Sequence, residues 1–178
     1  MGDVAPRGGR AVVDYSKAVE FAIALPSVSW TDIFPLLEKN HAEVGALESA
    51  AFKPDYHRLV AMERAGMTRG FTMKVSGEAV GYALFLVISH WHYPGTKWAL
   101  QDAMFVSPNH RGIRAVEFMV YQDEALKQDG VDIIVRQVPT KSKVDFSKML
   151  TRFGYTPVEK SFMRDLRLDR ISEEKAVS

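Results

Sequence analysis

A run of residues near the middle of the chain, Val106-Ser107-Pro108-Asn109-His110-Arg111-Gly112-Ile113-Arg114-Ala115, most narrows what it can fold into. The run follows an apolar stretch and precedes a segment with helical spacing. A strand that ends in Pro, passes through a basic turn and Gly, and then opens a helix gathers backbone N–H groups at one point. The first N–H groups of a helix lack intrahelical acceptors, and the helix dipole makes that end positive. A turn of this kind is the skeleton of a phosphate cradle.

The segments on either side follow from periodicity. Val19, Phe21, Ile23 and Leu25 alternate and predict a first strand, with a helix through Tyr15–Leu25 as the alternative. Thr31 or Asp32 is placed to cap a helix whose first turn holds Pro35. Pro54 opens a second helical pattern that Gly66 stops. Phe71, Met73 and Val75 alternate up to the turn pair Ser76-Gly77. Ala79 to Ser89 is apolar on both faces and predicts a central strand. Tyr93-Pro94-Gly95-Thr96 predicts a hairpin turn returning into a strand over Lys97–Val106. Ile113 to Asp129 reads as a helix with a stripe of Ala115, Phe118, Met119 and Leu126, closed by Gly130. Val131, Ile133 and Val135 predict another strand, and Phe146 to Phe153 a last helix stopped by Gly154. Tyr155–Val158 and Lys160–Leu166 predict closing strands. Three consecutive strands followed by a crossover helix give an α/β fold built on a mixed sheet.

Composition sets the outer bounds. A chain of 178 residues, 47% apolar and 25% charged, has enough material for one core, expected over residues 13–168, with tails at 1–12 and 169–178. There is no cysteine, which excludes thiolate catalysis and cysteine zinc sites. His90 and His92 are spaced to share a metal, but no third ligand lies near them in sequence, so no metal is expected. A formal net charge of +1 argues against nucleic acid as the partner. No apolar run reaches the roughly 18 residues of a membrane span, and the first ten residues lack a signal-peptide core, so a cytoplasmic protein is expected.

The order of elements, with that turn in that place, resembles the GCN5-related N-acetyltransferases over residues 17–167. The resemblance is to small members encoded by bacteriophages. It is carried by His90-Trp91-His92-Tyr93 before the hairpin, Asp102 in the fourth strand, and Phe105-Val106 with Pro108, Arg111 and Gly112 in the turn. The triplet Phe153-Gly154-Tyr155 near the end completes it. The resemblance implies a mostly antiparallel, twisted sheet with helices on both faces and a splay between its fourth and fifth strands. It also implies acetyl-CoA as cofactor, with pyrophosphate on the backbone of Arg111, Gly112, Ile113, Arg114, Ala115 and Val116. The pantetheine arm would follow the backbone of Met104, Phe105 and Val106.

On that resemblance Asp102 is the base that frees an acceptor amine of its proton, acting through water. A protonated amine cannot attack a thioester. The bland reading pairs Asp102 with a neighbouring loop, since a carboxylate between Leu100 and Met104 is costly if left without a partner. Gln101 stands where some relatives have a glutamate base, and an amide cannot take a proton. The family's general-acid tyrosine falls on Leu150 here, and Tyr93 replaces it only if the hairpin folds over the thioester. The glycines expected in the cradle fall on Arg114 and Val116; an arginine there either donates to phosphate or plugs the cradle. His41 and His92 are candidates for the substrate groove. Two functions stay open: an N-acetyltransferase acting on a small-molecule or protein amine, and an inactive relative serving as a virion component or binding a host protein. Homodimers are frequent among such relatives, and the site of action is the host cytoplasm or the virion.

Overall fold

Strand β3 (Glu78–Ser89) is the centre around which the chain is arranged. The structure is a computed structural model and describes residues 17–45, 47, 50–141 and 145–167. The predicted tails at 1–12 and 169–178 lie outside the described residues. Five strands form one sheet in the order β1 (Val19–Ile23), β2 (Thr68–Val75), β3, β4 (Lys97–Val106), β5 (Ile133–Val135). The first three pairings are antiparallel and β4–β5 is parallel. The return strand keeps the bounds its sequence pattern predicts, because a Pro-Gly turn before it and Pro108 after it both stop the ladder.

Helix α3 (Ile113–Gln128) covers one face of the sheet, where Phe118 and Leu126 join Phe71, Met73, Phe85, Ala99 and Val106 in a buried cluster. Phe118 stacks on Phe21 with ring centroids 5.6 Å apart. The other face carries α1 (Pro26–Val44), whose Ile33 and Leu36 pack on Tyr82 and Phe105. Helix α2 (Tyr56–Arg64) is pinned to α1 by Tyr56 against Trp30, centroids 5.1 Å apart. None of the described helices is long and apolar enough to cross a membrane.

The start of α1 departs from the predicted Thr31 or Asp32 cap. It begins at Pro26, and Glu63 of α2 caps it from afar by accepting from the Ser27 N–H at 2.9 Å and the Ser27 hydroxyl at 2.6 Å. A carboxylate at a helix N-terminus is favourable, and one supplied by another helix leaves no local signature. Pro35 therefore sits inside the helix. The hydrogen bond it forgoes would have gone to Thr31, on the exposed face, where water can serve the freed carbonyl.

By contacts the described residues divide into two compact units, 17–42 with 54–137, and 43–53 with 138–167. The second holds α4 (Ser147–Arg152), where Asp145 accepts from the Ser147 N–H at 2.9 Å. The closing strands predicted at Tyr155–Val158 and Lys160–Leu166 do not form. Pro157 removes a ladder donor, and Asp165 turns back on the Arg167 backbone N–H at 3.0 Å, a local bond that competes with strand pairing.

Candidate functional site: a splayed sheet edge below a strand-to-helix turn

Strands β4 and β5 pair only over Trp98–Leu100 and Ile133–Val135. Beyond Leu100 the strands part. Leu84 pairs with Ala103 and Phe85 with Gln101, which leaves Asp102 as the extra residue of a β-bulge. A bulge re-aims side chains and bends its strand. Ser107 N–H bonds the Val80 carbonyl of β3 at 2.8 Å. By the alternation of a ladder, the N–H and C=O groups of Met104 and Val106 then face away from β3, into the opening left by β5.

Asp102 is exposed and makes no hydrogen bond among the described residues. The protein packed around it holds its carboxyl above the ordinary carboxylate range through desolvation. The partner that the bland reading requires for it is therefore not found among the described residues. Its charge instead acts on Tyr82, which is 2% exposed. Burial first, and then Asp102, push the Tyr82 phenol up to about 12, against the Asn40 Nδ2 that donates to its oxygen at 2.8 Å. The sequence places Asn40 on the apolar face of the first helix but marks neither it nor Tyr82 as a site residue. A tyrosine on an inward position of an apolar strand did carry a signal, since a buried phenol needs a hydrogen-bond partner.

The turn is a short 3-10 helix, Pro108–His110, followed by Arg111 and by Gly112 at φ 90° and ψ −135°. That conformation suits glycine alone. The cradle thus has its glycine at Gly112, ahead of the Arg114 and Val116 slots. The N–H groups of Gly112 and Ile113 make no backbone hydrogen bond among the described residues, while those of Ala115 and Val116 bond the Gly112 carbonyl at 3.1 and 3.3 Å. Gly112→Ala is expected to lower stability by about 1–3 kcal/mol from backbone strain. Urea unfolding monitored by circular dichroism checks this, and an unchanged midpoint would contradict the strain.

The two arginines of the turn go different ways, Arg111 back along the edge of β4 and Arg114 inward. Arg111 Nε donates to the Val106 carbonyl at 2.8 Å, and its guanidinium lies over Phe105, 5.6 Å from the ring centroid. Arg114 is 2% exposed and donates to the Lys17 carbonyl, just before β1, at 3.2 Å. It runs toward the β1 side of the sheet, away from the opening beside β4, and does not plug it. Ala115 packs on the α3 core.

The remaining candidates lie apart. Tyr93 stacks on Trp98 with centroids 5.8 Å apart and planes 6° off parallel, at the Lys97 end of β4. The hairpin does not carry it to Asp102. His92 sits in that same turn, its backbone N–H on His90 Nδ1 at 3.2 Å. His41 follows Asn40 on α1 and so lies toward the Val106 end, separated from His92. Among the described residues no group of three or more His, Cys, Asp or Glu is placed to hold a metal.

No protein-family model and no curated protein matches the chain. Solved structures do. A ribosomal-protein-alanine N-acetyltransferase from Brucella melitensis biovar Abortus 2308 superposes at TM-score 0.64 with 17% identity, over 83% of this chain and 97% of its own. A predicted acetyltransferase from Clostridium acetobutylicum, solved with acetyl-CoA, gives 0.63 with 9% identity, over 84% and 97%. The fold is GNAT-like. At these identities the GNAT likeness speaks for architecture alone. A transcriptional regulator from Bacillus halodurans C-125 superposes as well, at 0.67 with 14% identity over 83% and 99%. One scaffold thus carries differently described proteins.

Proposed function

We propose that the chain is an N-acyltransferase that moves an acetyl group from acetyl-CoA to an amine. The observation that supports this is the opening beyond Leu100, edged by the outward backbone of Met104 and Val106 and closed at its end by the Gly112–Ile113 N–H groups. That edge offers a pantetheine amide the N–H and C=O of Met104 and the N–H of Val106, the Val106 carbonyl being taken by Arg111, and the turn offers donors to a diphosphate. The residues present therefore fit the cofactor. When bound, acetyl-CoA supplies an activated thioester. The Brucella protein named above acts on an alanine of a ribosomal protein, and an amine of that kind is the class of acceptor this site would take.

In this reading Asp102 accepts the proton of the incoming ammonium group, directly or through one water. Its carboxyl, partly shielded by the protein around it, is a better base near neutral pH than a fully solvated one, since its raised proton affinity holds the proton it takes more firmly. Asn40 orients the Tyr82 hydroxyl on the same face. The Arg111 guanidinium braces the last carbonyl of β4 and so fixes the turn.

Calorimetric titration with acetyl-CoA tests the proposal. Binding is expected, and with free ligand at a hundred times Kd the fold should gain about 2.7 kcal/mol. No heat and no thermal shift at millimolar acetyl-CoA would sink it. That result would favour the second reading, a virion component or host-protein binder on the same scaffold. The donors that Arg111 and Arg114 give to the Val106 and Lys17 carbonyls, and not to an anion, are the observation on its side.

A further inference from the structure

The opening between β4 and β5 needs a cause, because an edge whose Met104 N–H and C=O have no strand partner invites pairing. The residue that follows β5 is Arg136, whose side chain is fully buried. Its Nη1 donates to Gln101 Oε1 at 2.9 Å and to Gln122 Oε1 at 3.1 Å. Its Nη2 donates to Asp123 at 2.5 Å and to the Met119 carbonyl at 3.4 Å. The guanidinium also lies over Phe85, 5.2 Å from the ring centroid. One side chain at the point of parting thus ties the end of β5 to β4, β3 and α3.

Gln101 completes the arrangement. It is 4% exposed and is the last residue of β4 before the bulge. While its Oε1 takes Arg136, its Nε2 donates to the Gln137 carbonyl at 3.3 Å. A continuing ladder would give that carbonyl a backbone N–H of β4. Here a side-chain amide serves instead, so the chain leaving β5 stands off by the length of a glutamine. We propose that Gln101 and Arg136 form a bracket that holds β5 away from β4 and sets the width of the acyl-donor cleft.

The energetics favour a positioning role over simple reinforcement. Apolar side chains of similar volume stabilise a core as well as a buried ion pair does, or better. The cluster also leaves Gln122 Nε2, in a fully buried residue, without a hydrogen bond among the described residues. A network selected for stability alone would satisfy it. The bracket also gives Gln101, which cannot act as a base, a use in that slot.

Two variants test this: Gln101→Met, which strands no charge, and the double variant Arg136→Met with Asp123→Leu, which removes the buried pair together. Hydrogen exchange of the Met104 and Val106 amides is the first readout. In the wild type without ligand they should exchange fast for a mid-sheet strand, and in both variants at least tenfold slower as β5 closes on β4. The second readout is calorimetric affinity for CoA, expected to weaken at least tenfold; only this arm rests on the acyltransferase reading. A wild type that does not bind CoA would remove that reading, while the exchange rates still decide the bracket. Folded variants with unchanged exchange at Met104 and Val106 would overturn the bracket. Tighter CoA binding by either variant would overturn it too, by showing an obstruction. Loss of the fold in both would do the same, by reducing the cluster to core support.

Discussion

Asp102→Asn is expected to slow acetyl transfer by about 10²–10⁴-fold, the usual worth of a positioned general base. The same variant should bind acetyl-CoA as the wild type does and unfold at a higher temperature near neutral pH. The two effects share a cause. The folded protein holds the Asp102 carboxyl above its ordinary value of 3.8 by desolvation. The native state then binds more protons than the unfolded state across the window between those two values. Stability therefore falls as pH climbs from below 3.8 through the raised value, and the loss persists above it. Asparagine carries no such penalty, so the variant's advantage should appear near neutral pH and vanish well below 3.8. Paired thermal melts at acidic and neutral pH measure the stability arm, and steady-state rates with a defined amine measure the other. A variant that turns over at the wild-type rate would remove Asp102 from the chemistry. One that melts at the wild-type temperature in neutral buffer would show that the carboxylate is stabilised by something the geometry does not contain.

The sheet was legible because its signals are local. Ser76-Gly77 and Pro94-Gly95 bracket β3, and Pro108 ends β4, so alternation between those stops could be read in only one way. Helix α3 was equally plain, running from Gly112 to Gly130 with its apolar stripe between. The features that make the site were not legible for the opposite reason. The bulge at Asp102 has no glycine or proline to mark it; it exists because Leu84 and Phe85 choose Ala103 and Gln101 as partners. The Asn40–Tyr82 bond joins residues 42 positions apart, and the Ser27–Glu63 cap joins residues 36 apart. Such contacts are properties of packing, and a linear reading sees only residues with a need. The basic turn shows the same limit. Two arginines at a phosphate-like turn looked available for an anion, but both found carbonyls to serve, Arg111 on Val106 and Arg114 on Lys17. The donors and acceptors that line the opening beside Arg111 are backbone, which has no sequence code beyond the glycine that permits it.

Gly70→Ala is expected to lower stability by about 3 kcal/mol or more. Gly70 lies on β2 where the chain leaving β1 crosses over it toward α1. A methyl group built there would come 2.1 Å from the Ala24 carbonyl oxygen. That obstacle is backbone and cannot rotate aside, unlike the tip of a long side chain. The crossing is also bonded, Ala24 N–H to the Gly70 carbonyl at 2.8 Å, so pushing the strands apart loses this bond as well. Overpacking costs about 1–3 kcal/mol and a lost hydrogen bond about 0.5–1.5 kcal/mol, and here they add because one displacement causes both. The consequence reaches the site. Pro26 begins α1 two residues after Ala24, and the seat of α1 decides whether Asn40 meets Tyr82. Urea unfolding should show a lower midpoint at an unchanged slope, which marks lost stability without a change in the surface exposed. Hydrogen exchange at the Ala24 amide should accelerate in step. A variant with the wild-type midpoint would mean that the crossing has room for a methyl group, and that α1 is held over Tyr82 by its Ile33 and Leu36 contacts alone.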